Sequence, residues 1–265
     1  MILSGAPDSR SPQSVRKNVV SLEISLSSYQ QFIQDILQAA CLRKSGYACF
    51  ANAHMIVEAV RDPAFAEMVN RATWTTADGV PVAWAIRLLY GRRQERITGL
   101  DVLPALLQEA PRHDVSVYVY GSTPAVLERC ADYCAQHHPE LSISGLYAPP
   151  FRALTAGEEE EVVERIRTSG AGLVFVALGC PKQEKWMAAL SHRIPAVLLG
   201  VGGALPVTVG VQKRAPNWMQ FAGLEWLYRF FQEPRRLFSR YFSTNSLFVF
   251  YLTRQWIRQW LQADN

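Results

Sequence analysis

The sequence predicts an open, mostly parallel α/β sheet with helices on both faces, followed by a helical C-terminal segment that is basic and aromatic. Three observations carry this expectation. Short apolar runs alternate with segments of helical periodicity from about residue 46 to residue 201, and a βαβα order of this kind builds parallel sheets. The runs VSVYVY and LVFVALG are almost continuously apolar, as strands covered on both faces must be. Past Val201 the alternation stops, and residues 213–265 hold eight Lys/Arg against three Asp/Glu together with 14 of the 29 aromatic side chains.

The elements follow in order. Residues 1–20 open with MILSGAPDSRSPQSVRKN, rich in Ser, Pro and charge and lacking the apolar stretch of a secretory signal; they are expected to form a mobile arm. From Leu22 to about Ser45 the spacing of Phe32, Ile36, Leu37 and Ala40 is helical. Strands are expected over residues 46–51, 73–76, 115–120, 141–145, 172–178 and 195–201. Between them lie helical segments over Ala53–Arg61, Pro63–Ala72, Val80–Tyr90, Asp101–Ala110, Pro124–His137, Gly157–Thr168 and Pro181–His192. Asp62-Pro63 and Thr123-Pro124 each put a capping oxygen ahead of a proline at the first helical position. The expected division is an arm over 1–20, a Rossmann-like α/β body over 21–205 and an appendage over 206–265.

Composition narrows the class. Of 265 residues, 49% are hydrophobic and 19% charged, which forms a core and excludes disorder for most of the chain. Cys41, Cys49, Cys130, Cys134 and Cys180 are odd in number and include no Cys-x-x-Cys pair. A disulfide framework or tetrathiolate zinc site is therefore not expected, and a reducing cytosol fits. Cys130, Cys134, His137 and His138 share helical spacing, but they read as two buried thiols and a polar helix end rather than a metal site.

In open parallel sheets ligands bind beyond the carboxyl ends of the strands, at helix N-termini. The residues just past each expected strand are therefore the candidates: Asn52, the run from Thr76 to Gly79, Gly121 with Ser122, Lys182 with Gln183, and Gly200, Gly202 and Gly203. Asp78 either caps the helix after it or acts as a general base accepting a proton from an incoming hydroxyl. Gly121 and Ser122 in YGSTPAV either cradle a diphosphate or make a tight turn. Lys182 and Gln183 in LGCPKQEKWM, expected exposed at the rim, suit a phosphate or sugar hydroxyl, or simply begin a solvated helix. No glycine group matches G-x-G-x-x-G or the P-loop, and no H-E-x-x-H or nucleophile elbow is present. Nicotinamide, ATP, zinc-hydrolase and serine-hydrolase chemistry thus lack support.

Taken in order, the stretches TADGVPVAWA, ERITGLDVLPAL, VYVYGSTPAVLE, LVFVALGCPKQEKWM, LLGVGGALP and KRAPNWMQFAGLEWLYRFFQEPRRLFSRY resemble the WecB/TagA/CpsF family of bacterial glycosyltransferases (glycosyltransferase family 26). They cover most of residues 46–242. The resemblance implies an inverting transferase without metal or other cofactor. It would move a sugar from a UDP-sugar donor to a polyprenyl-pyrophosphate-linked saccharide acceptor at the cytoplasmic face of the bacterial inner membrane. It puts the catalytic carboxylate on Asp78, places Arg96 and Gln183 in the site, and matches appendage arginines to Arg229 and Arg236, with Arg235 and Arg240 close by. The chemistry is coherent: displacing UDP builds charge on the leaving diphosphate, and arginines can offset it in bidentate geometry.

Two departures bear on the donor. Many family members read Phe-Asp where this chain has Leu205-Pro206, and Thr-x-Asn where it has Phe50-Ala51-Asn52. Both favour an exopolysaccharide branch using UDP-glucose over UDP-N-acetylmannosamine or its uronic acid. In the tail, NSLFVFYLTRQWIRQWLQ spaces Arg254 and Arg258 four residues apart beside aromatic positions. Its apolar run falls short of the roughly 20 residues of a spanning helix. It fits an interfacial helix on an anionic membrane surface, giving a peripheral enzyme, or a helix packed on the core or on a second subunit of a homo-oligomer. No reader motif for nucleic acid is present. A non-catalytic nucleotide-sugar-binding or scaffold protein is the alternative of another class, and Asp78 with Arg96 and Gln183 argues against it.

Overall fold

The computed structural model describes residues 15–221, 223–232 and 234–263, with backbone alone at 221, 229, 234–243 and 263. Residues 1–14 of the expected arm lie outside the described residues. The chain opens with a hairpin of β1 (Arg16–Val19) and β2 (Leu22–Ser25), paired antiparallel. A six-stranded sheet follows, from β3 (Gly46–Ala51), β4 (Trp74–Ala77), β5 (Val117–Gly121), β6 (Ile143–Tyr147), β7 (Leu173–Ala177) and β8 (Val197–Leu199). Its order is β4-β3-β8-β7-β5-β6 with every pairing parallel.

The helices are α1 (Tyr29–Cys41), α2 (Ala53–Arg61), α3 (Pro63–Asn70), α4 (Val80–Tyr90), α5 (Gly99–Glu109), α6 (Pro124–His137), α7 (Ala156–Thr168), α8 (Lys182–Leu190) and α9 (Ala204–Thr208). After them come α10 (Asn217–Phe221), α11 (Glu225–Gln232) and α12 (Pro234–Ala263). Side-chain oxygens of Ser28, Asn52, Asp62, Thr98, Thr123 and Thr155 accept an amide of the first turn that each precedes, which fixes where these helices start.

The strands alternate between two cores, one per face. In β7, Leu173, Phe175 and Ala177 join α1, α5, α6 and α9 on one side, while Val174 and Val176 join α2, α3, α4, α7, α8 and α12 on the other. This double coverage is why central strands such as β7 read as unbroken apolar runs.

Three expectations are corrected. The arm does not extend to residue 20: Arg16–Val19 form β1, and Val19 is buried with Leu22 and Ile24 in the second core. The helix expected from Leu22 begins only at Tyr29, because the residues before it pair in the hairpin and Ser28 supplies the cap. The boundary at 205–206 falls inside α9, whose Leu205, with Val209 just after it, is buried in the first core.

The 30-residue α12 is docked on the body rather than free of it. It packs on α2 and α4, Thr244 and Phe248 are buried, and Gln255 reaches the hairpin. There its Oε1 accepts the Val20 amide at 2.7 Å, and its Nε2 donates to the Asn18 carbonyl at 3.1 Å. Among the described residues no helix is long and apolar enough to cross a membrane.

Phe248 is 4% exposed within the second core. Phe248→Ala is expected to cost about 3–5 kcal/mol, read as a lower urea midpoint at constant slope. An unchanged midpoint would mean that α12 contributes nothing to the fold.

Candidate active site

The sheet lines up the candidates along one edge. From β4 to β5 the strand ends carry Asp78, then Asn52, then the Gly200–Gly203 turn, then Gly179, then Gly121 and Ser122. Four strand steps separate the extremes, about 19 Å at ordinary sheet spacing.

Asp78 follows β4 directly. Its amide donates to Ala51 of the neighbouring strand at 2.9 Å. Its carboxylate Oδ2 accepts Nδ2–H of Asn52 at 3.2 Å. Asn52 is oriented in turn by its other end, since Oδ1 caps α2 by accepting the Met55 amide at 3.1 Å. The amide group therefore has to present its NH2 to Asp78. Asp78 is not the cap of α4: that position belongs to Gly79, at φ 101° and without a side-chain cap bond. The half-buried carboxylate thus stands at the strand end and accepts the Asn52 amide.

Thr76 and Arg96 build the flank. Thr76, expected at the substrate, is instead fully buried, and its hydroxyl donates to the Ile97 carbonyl at 2.9 Å. The Ile97 amide donates back to Ala77 at 3.0 Å. This pins the segment carrying Arg96 beside the end of β4. The Arg96 guanidinium bridges Asp101, at 3.4 Å, and Glu225.

At the centre of the edge, Gln183 is also corrected: it is 5% exposed, whereas its neighbour Lys182 is exposed at the start of α8. The Gln183 amide joins two turns. Its Oε1 accepts the Gly179 amide at 3.1 Å, and its Nε2 donates to the Gly200 carbonyl at 2.7 Å and to Glu184 at 2.8 Å. Gly200 and Gly202 lie so close above it that a Cβ at either would stand 2.9 Å from the amide. Gly121, at φ +111°, passes Ala177 so tightly that a Cβ would meet its carbonyl at 2.7 Å, and the Ser122 amide donates to that carbonyl at 2.9 Å. Gly203 is exposed beyond them.

Glu184 was not singled out by the sequence, although it sits in the same PKQE run. It is fully buried, and burial pushes its carboxyl up to about 7 against the pull of hydrogen bonds from Gln183 and Cys180. Burial likewise raises the Cys180 thiol. Glu184 thus supports the amide that spans the rim from below. Arg229 lies in α11 and Arg235, Arg236 and Arg240 in the first turns of α12, but their side chains lie outside the described residues. Cys130 and Cys134 are both buried on α6.

The family model of the glycosyl transferase WecG/TagA/CpsF family matches residues 17–262. The match spans the hairpin, both cores, the whole rim and nearly all of α12.

The raised Glu184 carboxyl has a pH signature. The folded chain keeps this proton up to about 7, whereas the unfolded chain releases it near the ordinary 4.5. Stability from this group is therefore fullest below pH ~4.5 and falls by on the order of 3 kcal/mol as pH rises to ~7. Glu184→Gln is expected to remove that slope, read as the difference between wild-type and variant unfolding free energies across the window. Parallel pH profiles would show that Glu184 ionises normally.

Proposed function

The chain belongs to the WecG/TagA/CpsF glycosyltransferase family, and from that premise we propose that it moves a hexose from a UDP-sugar to a polyprenyl-pyrophosphate-linked saccharide with inversion. The observation that carries this reading is the Asp78 carboxylate at the end of β4, oriented by Asn52 and beside the segment bearing Arg96.

In this reading Asp78 takes the proton of the acceptor hydroxyl as its oxygen attacks the anomeric carbon. The new C–O bond forms on the face opposite the diphosphate, and UDP leaves with the electrons of the broken bond. The diphosphate lies at the Gly200–Gly203 turn, where backbone approaches a ligand closely, and the nucleoside extends along the edge toward Gly121–Ser122. Lys182 and the appendage arginines offset the charge that builds on it, and Arg96 donates N–H groups to it. Gln183 shapes the two turns from beneath. The Leu205-Pro206 pair favours UDP-glucose over UDP-N-acetylmannosamine or its uronic acid, and the product enters exopolysaccharide synthesis.

The same reading sets the enzyme on the cytoplasmic face of the inner membrane, resting on the outward side of α12. Opposite the buried Thr244 and Phe248, that helix exposes Val249, Phe250, Trp256, Ile257, Trp260 and Leu261, with Arg254 and Arg258 exposed alongside. Trp at headgroup depth with Arg toward anionic lipid is the pattern of an interfacial helix.

Asp78→Asn is expected to lower kcat by about 100-fold or more while affinity for UDP stays within a few-fold, measured by radiolabelled transfer from a panel of UDP-sugars. An unchanged kcat would remove Asp78 as the base, and transfer from UDP-N-acetylmannosamine alone would replace the donor. For the membrane, Trp256→Ser with Trp260→Ser is expected to abolish sedimentation with anionic liposomes at an unchanged melting temperature. Continued sedimentation would rule out this face as the anchor.

A further inference from the structure

We propose that Glu225 is a positioning residue for Arg96, so that the segment after residue 213 completes the site with an acid as well as with cations. The inference rests on the reading of Arg96 and Asp78 as parts of a site for a sugar diphosphate.

Four charged side chains carry it. Arg96 donates from one terminal nitrogen to Glu225 and from the other to Asp101 at 3.4 Å. Arg214 donates to the second oxygen of Asp101, and its Nε stands 3.6 Å from Glu225. Asp101 also accepts the hydroxyl of Thr98, the cap of α5, at 3.0 Å. That carboxylate is thus anchored in the α/β body, while Glu225 is the first residue of α11. Arg96 is clamped between an acid of the body and an acid of the appendage.

The clamp differs from an ordinary surface ion pair, whose worth is close to zero. The side chains of Arg96 and Glu225 are only 22% and 15% exposed, so water screens their attraction incompletely. Two arginines and two carboxylates sum to zero, so the cluster gives the rim no net charge. What it gives is direction. Two of the five guanidinium N–H groups are spent on the carboxylates, which leaves three in a fixed plane for an anion.

The surrounding backbone brings that plane to the edge of the sheet. Ile97 is bonded to both Ala77 and Thr76, immediately before Asp78. Gly223, two residues before Glu225, lies so near α4 that a Cβ there would stand 2.8 Å from Val80 Cγ2. The turn into α11 therefore closes on the helix that starts just after Asp78, and it delivers Glu225 to Arg96 as it does so.

The test is a double-mutant cycle read through UDP-sugar turnover and through UDP affinity by calorimetry. The affinity arm keeps the cycle readable where Arg96→Ala leaves little turnover. Glu225→Gln is expected to lower kcat/KM about tenfold in the wild-type background and less than about twofold in Arg96→Ala. The effect of Glu225→Gln on UDP affinity is likewise expected to depend on Arg96. A merely structural Glu225 would lower the melting temperature and give the same fold-change with or without Arg96. That additivity would overturn the proposal, as would an unchanged kcat/KM in Glu225→Gln. A wild-type protein that does not bind UDP would overturn the donor reading, and the proposal with it. UDP binding with an additive cycle would overturn the positioning role alone.

Discussion

The buried amide of Gln183 is the contact on which the working edge of the sheet depends. It connects Gly179 to Gly200, and so it fixes the turns that leave two adjacent central strands. An amide has one acceptor end and one donor end, and both are used with good geometry. The arrangement works only because glycine stands at 200 and 202, where any side chain would collide with that amide. Glu184 below takes the second amide hydrogen. Asp78, at one end of the row, is oriented by an amide in the same manner, through Asn52. Two carboxamides held at both ends therefore define the rim, and the charged groups are set around them.

The appendage is joined to this rim by chemistry of a different kind at each of its parts. Near Asp101 the joint is electrostatic and spends two arginines and two acids on one another. Along α12 it is apolar, with Phe248 buried in the second core where the helix packs on α2 and α4. The helix thus has a core-facing side that stabilises the body and an outer side with a Trp-rich apolar surface. An amphipathic pattern by itself cannot say which apolar side chains face inward when both faces hold them.

Much of the fold was legible because its signals are local. The helices Ala53–Arg61, Val80–Tyr90 and Pro124–His137 coincide with expectation, two of them beginning after a side-chain cap and the third after Gly79. The central strands β5, β7 and β8 were legible because double coverage makes them almost continuously apolar. The β1–β2 hairpin was not legible, since RKNV reads as a charged arm and only burial of Val19 against distant residues makes it a strand. In the candidate site the positions of Asp78 and Asn52 were legible, since strand ends must place them there. The burial of Thr76 and Gln183 was not, because spacing reveals that a residue is at the rim but not which way it faces. The Arg96–Glu225 pair joins positions 129 apart, beyond the reach of any local pattern.

Gln255 bonds to Asn18 across a separation of 237 residues. A ribosome adding about 5–20 residues each second needs roughly 10–50 s to cover that interval. Once α2 and α4 are made, they and the hairpin still lack the helix that packs on them, and apolar surface stays wet. The contacts of Phe248 and Gln255 close only after α12 has been made. Chaperone demand should therefore concentrate in the interval before α12 is made.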